Sequence, residues 1–112
     1  MSNDLNFYIN GTWVKPESNE TIDVINPANE EVIGQIPAGT KEDINKAVSA
    51  ALDAFSTFQN TTKAERIELL KNIITEYENR YDDFVQTISK EMGSPIWLSE
   101  AAQAKTGIKK YS

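Results

Sequence analysis

The apolar residues of positions 62–92 recur at steps of three and four, which is the spacing of one face of an α-helix. This stripe consists of Ile67, Leu70, Ile74, Tyr77, Tyr81, Phe84 and Ile88. One continuous helix of this length would reach roughly 46 Å at about 1.5 Å per residue, longer than a small domain is wide. Leu69, Ile73 and Val85 widen the stripe, which favours packing inside a globular body over a two-stranded coiled coil. A break inside this helix at Asn79-Arg80 is the alternative.

One further helix is predicted on each side of this stretch. Thr40 and Asp43 have the spacing of a capping box, and the apolar face that follows comprises Ile44, Ala47, Val48, Ala51, Leu52, Phe55 and Phe58. Gly93 is expected to end the long helix in a left-handed conformation, with Ser94 as N-cap and Pro95 in the first turn of a third helix. The stripe of that helix is Trp97, Ala101, Ala104, Ile108 and Tyr111. Because this stripe is still in phase at Ser112, we expect the chain to be part of a longer one.

The first third of the chain reads as short strands separated by turns. Two β-favouring triplets surround Asn10-Gly11, which predicts a hairpin with a type I′ turn. A further strand is expected over residues 21–25, ending at Asn26-Pro27, and another over residues 31–36 with a bulge or close backbone approach at Gly34. The predicted fold class is therefore α+β, with β-hairpins in residues 1–39 followed by three α-helices in residues 40–112.

Charge and hydropathy exclude several classes of partner. The formal net charge is -6, and residues 1–39 carry most of the acidic excess, so no basic face is available for nucleic acid or an anionic membrane. The N-terminus has neither a positive stretch nor an apolar run, and no 18-residue apolar window occurs. We therefore expect a cytoplasmic protein.

Catalytic chemistry has few candidates in this sequence. The 112 residues contain no cysteine and no histidine, which removes the usual nucleophile and the usual general base at neutral pH. The five glycines form no nucleotide-binding fingerprint. Acidic pairs such as Asp82-Asp83 fall on the polar side of the helix, where solvated charge is expected.

Glu91 differs from the other acidic residues because it occupies the last turn before Gly93, where the helix dipole disfavours a negative charge. A bound cation would compensate it. The competing explanation is a salt bridge to Lys90 or Arg66, or simple exposure to solvent, and composition alone favours it over a cation.

Taken together, several short motifs resemble the opening segment of an aldehyde dehydrogenase. They are Y-I-N-G-T-W at residues 8–13, V-I-N-P-A at residues 24–28, K-A-V at 46–48 with Ala50-Ala51 and Ala54-Phe55, Arg66 with Leu70, and E-M-G-S-P at residues 91–95. Each motif alone is weak, but their order and spacing are specific to that superfamily, and they cover nearly the whole chain.

The resemblance implies a parent α/β fold and an enzyme in which a cysteine thiolate attacks the aldehyde and hydride passes to NAD or NADP. It places every catalytic and cofactor-binding residue downstream of Ser112, so the 112 residues alone are expected to be inactive. It also implies a K⁺ or Na⁺ site formed by the backbone carbonyls of Val24 and Ile25 and the side chain of Glu91. The implied partners are the rest of the same chain, an aldehyde substrate and further copies in a homo-oligomer.

Two other interpretations stay open at this point. The chain could be a stand-alone helical module that docks a partner through its apolar faces, without catalysis. It could also belong to a non-hydrolytic relative that forms an acyl-thioester or reduces an acyl-phosphate.

Overall fold

The computed structural model describes residues 3–111, which form four strands followed by helices. The strands are β1 (Phe7–Ile9), β2 (Thr12–Val14), β3 (Thr21–Asn26) and β4 (Glu31–Pro37). The helices are α1 (Lys41–Phe58), α2 (Lys63–Asn79), α3 (Tyr81–Met92), α4 (Ile96–Leu98), a π-helical segment (Ser99–Gln103) and α5 (Ala104–Tyr111). The order of short strands and then helices confirms the predicted α+β segment.

The first hairpin has the predicted turn. Asn10 and Gly11 have φ values of 54° and 77°, the two positive angles that a type I′ turn requires. β1 and β2 pair antiparallel with Tyr8 opposite Trp13, and these two rings meet edge to face with centroids 5.2 Å apart.

β3 and β4 form a second two-stranded sheet. The turn between them begins where Pro27 was expected to end the strand, and Glu30 takes a positive φ of 61° to complete it. Of the two alternatives expected at Gly34, the close backbone approach is wrong, because a Cβ at this position would meet nothing within 4 Å, and the bulge stays a prediction.

The capping box of α1 is present as predicted. The Thr40 hydroxyl accepts from the Asp43 amide at 3.3 Å, and the Asp43 carboxylate accepts from the Thr40 amide at 2.9 Å. An equivalent pair, Thr62 and Glu65, caps α2. These local hydrogen bonds explain why both helices begin where the sequence indicates.

The single helix predicted over residues 62–92 is wrong, because the chain breaks into α2 and α3 at Arg80. Arg80 leaves helical geometry with φ -108° and ψ 15°. Aromatic packing crosses the break, since Tyr77 stacks on Phe84 with centroids 4.2 Å apart. The break lies at Asn79-Arg80, the pair named as the alternative, and the continuous helix of roughly 46 Å does not form.

The start of the last helix also differs from the prediction. Pro95 occupies the N-cap position with ψ 147°, outside the first turn, and no side chain caps α4. The Ser94 hydroxyl instead bonds Ser99 and Gln103, and residues 99–103 adopt a π-helix. The predicted stripe is therefore divided between α4, the π-helical segment and α5.

The chain forms two compact units, one of residues 3–24 with 34–61 and the other of residues 25–33 with 62–111. Among the described residues the buried hydrophobic side chains are Val85 and Ala104, both in the second unit. Many large apolar side chains remain exposed on α1 and α2, including Ile44, Leu52, Phe55, Ile67 and Ile73. Neither unit therefore encloses a core of ordinary size.

Candidate functional site

The end of β3 and the end of α3 carry the residues assigned to a cation site. Val24 and Ile25 are consecutive residues of β3, and Glu91 lies in the last turn of α3. Ile25 and Glu91 both belong to the second compact unit, whereas Val24 belongs to the first.

The second unit brings the turn after Ile25 against the residue that ends α3. Gly93 has φ 68°, which confirms the predicted left-handed C-cap. A Cβ built on Gly93 would lie 2.9 Å from the Ala28 nitrogen and 3.0 Å from Pro27 Cγ. Only glycine therefore allows this approach, and the contact joins the two motifs at residues 24–28 and 91–95.

Hydrogen bonds stiffen both sides of this contact. Asn26 Oδ1 accepts from the Ala28 amide at 2.9 Å, and the Asn26 carbonyl accepts from the Glu30 amide at 2.7 Å. On the other side, the Gly93 amide donates to the Ser89 carbonyl at 2.9 Å. Sequence reasoning missed this contact, although an Asn-Pro turn and a capping glycine are both visible in the sequence.

Glu91 is exposed, and among the described side chains none forms an ion pair or hydrogen bond with its carboxylate. Of the explanations that do not need a ligand, the structure shows exposure to solvent, because the Glu91 side chain is exposed. An unpaired carboxylate in the last turn of a helix is electrostatically unfavourable.

A cluster of polar side chains lies just beyond Gly93. Ser99 is fully buried, and its hydroxyl lies 2.7 Å from the Ser94 hydroxyl. Both hydroxyls reach Gln103 Oε1, at 2.8 Å from Ser94 and 3.2 Å from Ser99. The Ser89 hydroxyl donates to the Ser94 carbonyl at 2.7 Å. These bonds satisfy the cluster internally, so it supports the turn and the π-helical segment.

Tyr77 ties α5 to α2 beside this cluster. Its hydroxyl donates to the Ala104 carbonyl at 2.7 Å. A Cβ at Gly107 would lie 2.6 Å from the Tyr77 hydroxyl oxygen, so glycine at this position makes the approach possible. Desolvation by burial, with a smaller contribution from the neighbouring Tyr81, raises the pKa of Tyr77 above its ordinary value of 10.0. The phenol therefore stays protonated and acts as a structural donor.

In the first unit, the most buried charged group is Asp43, which is 6% exposed. Besides capping α1, its carboxylate accepts from the Glu17 amide at 3.1 Å. Beside it an open apolar groove of about 300 Å³ lies between β1 and α1. Since both carboxylate oxygens of Asp43 accept hydrogen bonds from these donors, the group is structural.

Among residues 3–111 no group of three or more His, Cys, Asp or Glu side chains is placed to hold a metal ion. In the same range, no helix is both long and apolar enough to cross a membrane.

Comparison with known proteins agrees with the motifs at both ends of the segment. Residues 13–112 match the model of the aldehyde dehydrogenase family. Over 104 residues the chain is 52% identical to a provisionally named aldehyde dehydrogenase of Staphylococcus aureus (strain USA300), covering 93% of this chain and 22% of that protein.

Solved structures show the same likeness. An aldehyde dehydrogenase from Bartonella henselae superposes with a TM-score of 0.91 and 40% identity, covering 97% of this chain and 24% of that one. A mutant of aldehyde dehydrogenase C from Pseudomonas syringae, complexed with NAD⁺ and octanal, superposes with a TM-score of 0.95 and 33% identity, covering 98% of this chain and 23% of that one. The chain spans less than a quarter of each relative, and it belongs to the aldehyde dehydrogenase family.

Proposed function

We propose that this chain is the N-terminal portion of an NAD(P)-dependent aldehyde dehydrogenase that oxidises an aldehyde to a carboxylic acid. The observation that carries the proposal is the TM-score of 0.95, over 98% of the chain, with a protein crystallised with NAD⁺ and octanal. The 52% identity over 104 residues supports the same conclusion.

The proposed reaction needs groups that these 112 residues do not contain. A cysteine thiolate would add to the aldehyde carbonyl to give a thiohemiacetal, and loss of hydride would leave a thioester for water to hydrolyse. A nicotinamide cofactor would supply the hydride acceptor. The segment has no cysteine and no histidine, so the nucleophile must come from another part of the enzyme.

The role proposed for the segment itself is to cover another part of the same chain. Ile44, Leu52 and Phe55 lie on one face of α1 and are 62%, 66% and 57% exposed. α2 presents a second such face. Faces of this size are rare on isolated domains and mark buried interfaces. The relatives are more than four times as long as the matched region, which provides an occupant for both faces.

A monovalent cation site at Val24, Ile25 and Glu91 is part of this proposal. Two backbone carbonyls and a carboxylate form an all-oxygen donor set, which suits a hard cation such as K⁺ or Na⁺. The Glu91 carboxylate, which has no partner among the described side chains, fits this role, and a cation would offset its unfavourable position at the end of α3. In this proposal the site stabilises the segment and takes no part in the chemical steps.

The test compares the isolated 112 residues with the full-length enzyme that carries them. Aldehyde-dependent NADH formation is expected from the full-length enzyme and none from the purified segment. Turnover by the segment alone would overturn the assignment of catalysis to other residues. A complete coding sequence that ends after residue 112 would instead support a non-catalytic interaction module.

The product of the full-length reaction distinguishes the proposed hydrolytic enzyme from a non-hydrolytic relative. A free carboxylic acid is expected in the absence of any acyl acceptor. A strict requirement for a thiol or phosphate acceptor would show that the enzyme is a non-hydrolytic relative.

A further inference from the structure

The contact between Gly93 and the turn after β3 lies beside the proposed cation ligands and is closer than any residue with a side chain would permit. A Cβ at Gly93 would lie 2.9 Å from the Ala28 nitrogen and 3.3 Å from the Ala28 Cβ. Distances below 3.0 Å to a backbone atom require one of the two segments to move. The spacing between these segments is therefore set by the absence of a side chain at Gly93.

Each side of the contact is close in sequence to a proposed ligand and is held by hydrogen bonds. Glu91 precedes Gly93 by two residues, and the Gly93 amide is hydrogen-bonded to Ser89 in the last turn of α3. Ile25 precedes Asn26 directly, and Asn26 holds the turn through its side chain and its carbonyl. A shift at Gly93 is therefore expected to move the end of α3 or the end of β3.

We infer that Gly93 and the turn of Asn26 to Ala28 are positioning residues for the cation site, holding the Glu91 carboxylate at the spacing from the Ile25 carbonyl that binding requires. This inference rests on the cation site of the proposed function. Residues that orient metal ligands without touching the metal typically change metal affinity by about 10- to 100-fold when replaced.

The experiment measures binding of K⁺ to the full-length enzyme by thermal unfolding. KCl replaces choline chloride at constant ionic strength, so that the shift in Tm reports specific binding to the folded protein. Glu91→Gln is expected to remove the shift. Gly93→Ala is expected to raise the KCl concentration at half-maximal shift by about 10- to 100-fold.

Gly11→Ala is the matched control for Gly93→Ala. Gly11 has a positive φ of 77°, comparable with the 68° of Gly93, but a Cβ there would meet nothing within 4 Å. Both variants therefore introduce the same kind of backbone strain, and only Gly93→Ala disturbs the contact. Gly11→Ala is expected to lower Tm in the absence of K⁺ and to leave the KCl midpoint unchanged.

A second pair of variants approaches the same contact from the turn. Asn26→Ala removes the oxygen that accepts from the Ala28 amide and is expected to raise the KCl midpoint, whereas Asn26→Ser retains a side-chain acceptor and should restore it in part. This pair decides the question if Gly93→Ala does not fold.

The possible results separate the inference from the proposal on which it rests. A K⁺-dependent shift with the same midpoint in Gly93→Ala and the wild type would overturn the positioning role and leave the cation site standing. If Gly93→Ala does not fold, equal midpoints for Asn26→Ala and the wild type would overturn it likewise. A wild-type enzyme whose Tm does not respond to K⁺ or Na⁺ would overturn the cation site, and the positioning role with it.

Discussion

Asp43 is expected to be the most sensitive acidic residue in the first compact unit. Its carboxylate accepts from the amides of Thr40 and Glu17, at 2.9 and 3.1 Å, and from the Thr40 hydroxyl at 3.0 Å. The Thr40 bonds are local and belong to the cap of α1. The Glu17 bond links α1 to a loop 26 residues earlier in the chain, so Asp43→Ala removes a cap and a tertiary contact together.

The free-energy cost of Asp43→Ala follows from the loss of the cap and of the tertiary contact. Loss of the capping interaction costs about 1 kcal/mol. Loss of a charge-assisted bond that leaves a part-buried amide without an acceptor costs about 1.5 kcal/mol. The sum of roughly 2.5 kcal/mol corresponds to about a 60-fold increase in the local opening equilibrium, since about 1.4 kcal/mol is a factor of ten.

Hydrogen exchange on the full-length enzyme, resolved to the Thr40 and Glu17 amides, measures this opening directly. Both amides are expected to exchange about 60-fold faster in Asp43→Ala, while amides of α3 keep their wild-type rates. Glu42→Ala is the matched control, because Glu42 is the neighbouring acidic residue, is exposed and lies in the same first turn. Its removal costs only about 0.3 to 1 kcal/mol of dipole stabilisation. Equal acceleration in Asp43→Ala and Glu42→Ala would refute the reasoning.

Three further outcomes are expected. Burial and Tyr81 raise the pKa of Tyr77, so the contribution of Tyr77 to stability is complete below about pH 10 and is lost as the pH rises through the folded-state pKa. Tyr77→Phe should therefore lose less stability than the wild type in unfolding curves measured at alkaline pH. Gly107→Ala places a Cβ 2.6 Å from the Tyr77 hydroxyl and should lower the free energy of unfolding by about 1 to 3 kcal/mol, whereas Gly34→Ala adds a Cβ in open space. Equal shifts of the urea midpoint in the two variants would contradict this. The isolated 112 residues should self-associate and bind hydrophobic dyes, because their apolar helix faces are uncovered; a monomer with a sharp, concentration-independent melt in light scattering and calorimetry would argue against it.

The features predicted correctly from sequence are those that depend on neighbouring residues. Asn10-Gly11 specifies its turn because two positive φ angles are required within two residues. Thr40 with Asp43 and the capping glycine at position 93 act within one helical turn. The family resemblance was also visible in the sequence, since it rests on the order of such short motifs.

Two of the predictions that proved wrong concern residues whose contacts reach beyond the next helical turn. The periodic stripe of residues 62–92 is compatible with one helix, yet it breaks at Arg80, where aromatic side chains pack across the break and Tyr77 reaches Ala104. Ser94 has the ordinary identity of an N-cap, but its hydroxyl is taken by Ser99 and Gln103.

By itself the sequence determined the order of strands and then helices, the cap of α1, the capping glycine at position 93, the first hairpin turn and the absence of a cysteine nucleophile, because each depends on composition or on a few adjacent residues. Only the tertiary structure decided that Gly93 lies against Ala28, that Asp43 joins Glu17 and that Glu91 has no partner among the described side chains. These features depend on distances between segments far apart in the chain, and local pattern carries no information about such distances.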